Sequence, residues 1–147
     1  MIRKMQITDI DRVAEIWLDT NLKAHDFIPA EYWKGNYDAV KEMISQAEVY
    51  VYINEDKNQI QGFIGLDEDY IAGIFVWGEA QSRGIGKGLL DRAKKEKRKL
   101  TLNVYARNTG AVHFYQREGF RIGGQGIDED SGEKEYLMCW EQVHIDL

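Results

Sequence analysis

The sequence predicts an α/β fold built on one mixed sheet of about seven strands, and three observations carry that expectation. Short β-branched and aromatic runs alternate with stretches of helical apolar period. The run Tyr70-Ile71-Ala72-Gly73-Ile74-Phe75-Val76 is almost continuously apolar, as a central strand covered on both faces must be. The next strand-like run comes only after a glycine turn and a helix, a connection long enough to join parallel neighbours. The predicted order is βααβββαβαββ, with about four helices flanking the sheet.

Thr8-Asp9-Ile10-Asp11 reads as a helix start, with Thr8 as N-cap and an acid three residues later. Ile10, Val13, Ala14, Ile16 and Trp17 then recur at helical spacing, which predicts a first amphipathic helix to about Leu22. Pro29, the only proline, suits the first turn of a second helix running to about Gln46. Residues 49–53 form a strand, 54–58 a hairpin turn, and 60–66 the returning strand. Within the central run, Gly73 is a candidate bulge or point of close backbone approach. A helix over 86–97, a strand over 100–104 and a helix over 108–118 follow, the last stopped by Gly119. Residues 120–127 and 135–140 close the chain as a strand pair. The middle strand-helix-strand unit is expected to be a right-handed parallel crossover.

At 147 residues, with no repeat or linker-like tract, the chain reads as a single domain over 1–147. No run is long and apolar enough for a membrane helix, and the N-terminus lacks the apolar stretch of a secretory signal. Cys139 is the only cysteine, which excludes an internal disulfide and a cysteine-based zinc cluster and leads to the expectation of a cytoplasmic setting without a metal. A net charge of -6 argues against general nucleic-acid binding. Between Arg83 and Lys99, however, eight Lys and Arg face only Asp91 and Glu96, so that stretch is +6 and the remainder -12. A basic segment on an acidic body suits an anionic small ligand, with a cationic partner elsewhere. Residues 92–99 of that segment read more simply as a solvated helix face.

Gln81-Ser82-Arg83-Gly84-Ile85-Gly86-Lys87-Gly88 sits between the central strand and a helix. Glycines let backbone N–H groups converge, and a helix N-terminus adds partial positive charge, so the turn can cradle phosphate. It is not a P-loop, because Gly86-Lys87 is followed by Gly88 and no glycine lies five residues before Gly86. It is not a dinucleotide fingerprint either, because Leu89 stands where the third glycine belongs.

Downstream, Asn108-Thr109-Gly110-Ala111-Val112-His113-Phe114-Tyr115-Gln116-Arg117-Glu118-Gly119-Phe120 puts Ala111 and Tyr115 on one helix face. Together the two segments resemble the GNAT family, the GCN5-related N-acetyltransferases. The family's Gln/Arg-x-x-Gly-x-Gly/Ala motif is met by Gln81, Gly84 and Gly86, and its Asn-x-x-Ala-x-x-Phe-Tyr-x-x-x-Gly-Phe motif by Asn108, Ala111, Phe114, Tyr115, Gly119 and Phe120. The resemblance covers nearly the whole chain. It extends to small bacterial YjaB-like members, which share a segment of the type His25-Asp26-Phe27. Gly78 and Ser82 depart from the proline and glycine common in the family, without removing a backbone donor.

The resemblance implies a sheet whose central parallel strands splay, with acetyl-CoA as co-substrate lying in the gap. Carried over, backbone groups of Ile74, Phe75 and Val76 would pair with pantetheine, and the Val76 N–H would polarise the thioester carbonyl. Amides of Gln81, Ser82, Arg83, Gly84, Ile85, Gly86 and Lys87 would hold the pyrophosphate, and Asn108 the pantetheine arm. Tyr115 would be the general acid, since a phenol with pKa ~10 can protonate a thiolate of comparable basicity; its plain alternative is a core aromatic. The general base stays open among Asp67, Tyr70, His25 and Asp26. The acceptor wall is expected from Trp17, Asn21, His25, Phe27, Tyr32 and Trp33, with Tyr70 nearby. His113 and His144 read as structural or exposed, and Cys139 as a buried hydrophobe.

The expected activity is acetyl transfer by direct attack of a primary amine, a lysine side chain of a peptide or protein above all. A small-molecule amine, an acyl-CoA sensor without chemistry and an aminoacyl-tRNA acceptor are the alternatives. Acidity outside the glycine segment opposes the last, and no nucleic-acid or membrane partner is expected. Monomer and homodimer are both compatible with the sequence.

Overall fold

The computed structural model describes residues 1–81 and 83–143; Ser82 and His144 lie outside the described residues. Strand β1 (Ile2–Lys4) leads through a 3-10 turn (Ile7–Asp9) into α1 (Ile10–Ala24). The expected Thr8 cap is not what starts this helix. The Asp9 carboxylate instead accepts from the Gln6 N–H and from Arg3 Nη1, both at 2.7 Å, which closes the turn one step earlier.

The single second helix expected from Pro29 is two helices, α2 (Ala30–Gly35) and α3 (Tyr37–Gln46). Gly35-Asn36 breaks it, because both residues are poor helix formers and the Asn36 amide turns back to donate to the Tyr32 carbonyl. The hairpin β2 (Glu48–Asn54) and β3 (Gln59–Asp67) follows, and then β4 (Tyr70–Val76), with the limits that its apolar run predicts. Helix α4 (Ile85–Glu96), β5 (Lys99–Tyr105), α5 (Thr109–Arg117), β6 (Arg121–Ile127) and β7 (Lys134–Glu141) complete the chain.

The seven strands form one sheet in the order β1-β2-β3-β4-β5-β7-β6. Every pairing is antiparallel except β4 with β5. That parallel ladder holds only at Tyr70–Thr101 and Ile71–Leu102, after which the strands part. Helices α4 and α5 cover one face, where Leu89, Leu90, Ala93, Val112 and Tyr115 pack on Ile64, Leu100, Leu102 and Met138. Helices α1 to α3 cover the other, with Val13, Ile16, Trp17, Trp33 and Ile44 on Val49, Val51 and Phe63. Cys139 is half-buried rather than buried as expected, because it points to the sheet face opposite Met138. Among the described residues, no helix is long and apolar enough to cross a membrane.

Candidate active site

The gap between β4 and β5 decides which backbone groups are available. In an antiparallel ladder the bonded residue pairs alternate. The Trp77 N–H donates to the Gln61 carbonyl at 2.8 Å, so in the unbroken register Phe75–Phe63 and Gly73–Gly65 are the bonded pairs. Ile74 and Val76 therefore turn their N–H and C=O toward β5, where the partner strand has moved away. The Val76 carbonyl takes a bond from Gln81 Nε2 at 3.1 Å on that side. The expectation for Phe75 is corrected by this alternation: its amide is consumed by β3. Its ring stacks on Phe63 with centroids 4.9 Å apart and covers Gly73, where a Cβ would collide with it. Close approach thus explains Gly73, while the bulge falls on Ala72, since pairing jumps from Gly65–Gly73 to Leu66–Ile71.

Gly84, with φ of +80°, caps α4 in the left-handed conformation that favours glycine. The first bond of the helix runs from the Gly88 N–H to the Gly84 carbonyl, which leaves the N–H groups of residues 84–87 without helical partners. No acid lies in this first turn. These donors border an open hollow of about 590 Å³ whose walls include Val76, Gln81, Phe114, Tyr115 and Arg117. The Lys87 ammonium is ion-paired within the chain. It bonds Glu118 at 3.0 Å and lies 3.5 Å from Asp91, both of which hold it charged. Arg83 is exposed, and Ile85 buries its side chain in the core and presents only backbone. Sequence reasoning passed over Arg117, which reaches the hollow one helical turn beyond Phe114.

Asn108 caps α5, its Oδ1 accepting from the Ala111 N–H at 3.2 Å. Its Nδ2 lies 3.1 Å from His25 Nε2, and His25 Nδ1 lies 2.8 Å from Asn21 Oδ1. Asn21 Nδ2 donates to the Trp17 carbonyl, which fixes that amide and makes its Oδ1 the acceptor. His25 is therefore neutral, with the proton on Nδ1 and Nε2 accepting from Asn108. Burial lowers its pKa to about 4. Of the general-base candidates, His25 has both ring nitrogens engaged, and it ties the end of α1 to the cap of α5.

Tyr115 is buried and borders both the phosphate-side hollow and the cleft between β4 and β5. Its ring packs edge-on against Phe114 and Phe120. Burial alone raises its pKa, so the phenol stays protonated. The cleft, about 270 Å³, is walled at its far end by Trp17, Asn21, His25, Trp33 and Tyr70. Phe27 stands behind His25 and Tyr105 rather than in the cleft, and Tyr32 is likewise outside its lining. Asp26 and His113 are exposed, and Asp26 is outside the cleft lining as well.

Trp17, Tyr70, Ala72, Gly73 and Phe75 line both the cleft and an apolar trough of about 650 Å³ beside α3. Met43, Ile44, Phe63 and Leu66 line it, and Glu48, Asp67 and Glu68 sit on its border. Three adjacent hollows thus follow one another from the α4 side of the sheet, past Tyr115, to the α3 side, each sharing lining residues with the next.

Comparison with known proteins gives the family and the fold. The GNAT acetyltransferase domain matches residues 22–131. The chain is 31% identical to the peptidyl-lysine N-acetyltransferase YiaC of Escherichia coli, over 97% of this chain and 98% of that one. It is 30% identical to the peptidyl-lysine N-acetyltransferase YjaB of the same organism, over 93% and 92%. The solution structure of apo YjaB superposes with a TM-score of 0.85 and 26% identity, covering 97% of this chain and 98% of that one.

Proposed function

The chain belongs to the GNAT family of N-acetyltransferases, and we propose that it moves the acetyl group of acetyl-CoA to a lysine side chain of a peptide or protein. Members of this family use acetyl-CoA, which supplies an activated acetyl thioester. The single observation that carries the reading is the opening of the β4–β5 pair after two residue pairs. It leaves the backbone edge of Ile74 and Val76 running between the free N–H groups of α4 and the Tyr115 phenol.

These groups fit the co-substrate. The α4 N-terminus offers backbone donors and no carboxylate to a pyrophosphate. The edge of Ile74 and Val76 offers an amide-bearing arm the bonds of an added strand. The Val76 N–H can donate to the thioester oxygen as negative charge develops there. Asn108 holds the α5 cap, through which Tyr115 is aimed at the cleft. The Tyr115 phenol delivers the proton that the departing sulfur needs. A raised phenol pKa does not oppose this, because the thiolate it meets is desolvated in the same apolar surroundings.

The lysine acceptor rests on the trough. A trough of about 650 Å³ that shares five lining residues with the cleft offers an extended peptide room that a small amine would not use. Asp67 and Glu68 on its border attract cationic segments. The names of the YiaC and YjaB relatives point to the same acceptor class. A single domain working in the cytoplasm, on a peptide rather than a nucleic acid or a membrane, is consistent with the acidic body and the lone cysteine.

The test incubates acetyl-CoA with a panel of amines, lysine peptides and acidic peptides of equal length, and measures thiol release at two salt concentrations. Lysine peptides should give the higher kcat/KM, with an advantage that shrinks at high salt. Equal kcat/KM for the lysine and acidic peptides, with no salt dependence, would overturn the acceptor assignment.

A further inference from the structure

We propose that Glu135, on β7, is the general base that takes the acceptor amine's proton. The inference rests on the acetyl-transfer reading and assigns the one role that the motifs leave vacant. Glu135 is the only carboxylate among the described residues lining the cleft. It lies opposite Tyr105 in the β5–β7 ladder, on the face that looks toward α1 and α2. Asn103 Nδ2 reaches its Oε1 at 3.5 Å, and Asn103 Oδ1 accepts from the Tyr70 hydroxyl at 2.9 Å. Tyr70, Asn103 and Glu135 thus form a polar string along the acceptor end of the cleft. No cation pairs with Glu135 among the described residues. Its neighbour Glu133 is held by Arg107 at 3.1 Å, and Glu48 by Lys97 at 2.9 Å.

The other candidates fall away on the same geometry. Both ring nitrogens of His25 are engaged and its pKa is low. Tyr70 spends its hydroxyl proton on Asn103, and burial raises its pKa, so it is a poor acceptor of a proton. Asp67 lines the trough rather than the cleft, and Asp26 is exposed outside it.

The groups facing Glu135 leave it without a compensating charge: Tyr70 from β4, Tyr105 from β5, neutral His25 across the cleft and Asp128 from the turn after β6. Burial first and Asp128 second raise its pKa, which moves the carboxylate toward the range where a base is effective. An incoming ammonium gives one proton to Glu135, which releases it to solvent. The neutral nitrogen then forms the C–N bond to the thioester carbon, with charge developing on the oxygen. Collapse of this adduct breaks the C–S bond while Tyr115 gives its proton to sulfur. The second proton on nitrogen leaves through the deprotonated Glu135 to solvent. Solvent returns one proton to the Tyr115 phenolate, so both groups are restored and one net proton is released.

The experiment measures kcat/KM against pH for wild type and Glu135→Gln, with whichever amine of the panel turns over, alongside acetyl-CoA affinity by calorimetry. We expect unchanged acetyl-CoA affinity and a loss of ~10²-fold or more at pH 7, as for removal of a general base. The deficit should narrow toward pH 10, where solution supplies the free amine. A loss of equal size at every pH, or no loss, would overturn the proposal. A second readout is independent of turnover: ¹³C NMR titration of the Glu135 carboxyl, with and without the acceptor amine. Contact with an ammonium should lower its apparent pKa, and an unchanged titration would also overturn the proposal. Failure of lysine peptides in the wild type would instead strike the acceptor assignment and leave this test standing with another amine.

Discussion

Replacing Tyr115 by Phe removes one oxygen from the point where the two substrate hollows meet. The side chain is 7% exposed, with the Phe114 and Phe120 rings centred 5.2 and 5.5 Å away. Its hydroxyl makes no hydrogen bond among the described residues, so no partner is orphaned by the change. Stability should therefore move by less than about 1 kcal/mol. Catalysis should not be spared, because loss of a positioned acid typically costs ~10²–10⁴ in rate. That corresponds to roughly 2.7–5.4 kcal/mol in the barrier. The sign with pH also follows. Burial raises the phenol pKa, so Tyr115 stays protonated and produces no alkaline fall in activity below about pH 10. The assay is thiol release at saturating acetyl-CoA, paired with thermal unfolding of both proteins. Wild-type kcat in a Tyr115→Phe variant of unchanged Tm would return Tyr115 to the status of a core aromatic and require another acid.

Gly84→Asp places a carboxylate at the start of α4 in open space, since nothing lies within 4 Å of the added Cβ. The left-handed φ costs Asp only about 1 kcal/mol, so the fold should survive while acetyl-CoA affinity falls at least ~10-fold by calorimetry. Unchanged affinity would remove the pyrophosphate from this turn. The pH dependence of stability should carry the mark of His25. Its folded pKa of about 4 lies below the ordinary value near 6.5, so the unfolded chain binds more protons between those limits. Its contribution is fully present above pH 6.5 and is lost as pH falls toward 4, by up to roughly 3 kcal/mol. Urea midpoints at pH 4.5 and 7 should differ more in wild type than in His25→Gln. Identical pH dependence in the two proteins would mean that the imidazole is not held neutral.

What was legible in the sequence was what short-range chemistry decides. The limits of β4 follow from one apolar run, and the end of α5 from Gly119, which takes a φ of +93°. Both motifs lie within contiguous stretches, so cradle and phenol could be located before any strand was paired. Even local reading failed where two weak preferences competed, as at Gly35-Asn36, where the Asn36 amide returning to Tyr32 ends α2. The rest was decided by register and packing between distant segments. That the Phe75 amide is spent and that of Val76 is not depends on which pairs of the β3–β4 ladder bond, and one residue of slip would exchange them. The neutrality of His25 depends on Asn21 and Asn108, the latter 83 residues away, and the pairing of Lys87 depends on Glu118. Asn103 links Glu135 to Tyr70 only because β7 lies beside β5 and β5 beside β4. A side chain's charge and hydrogen-bonding capacity are written in its own residue type. Whether that capacity is free for a substrate depends on neighbours brought together by strand pairing and burial, which local spacing does not encode.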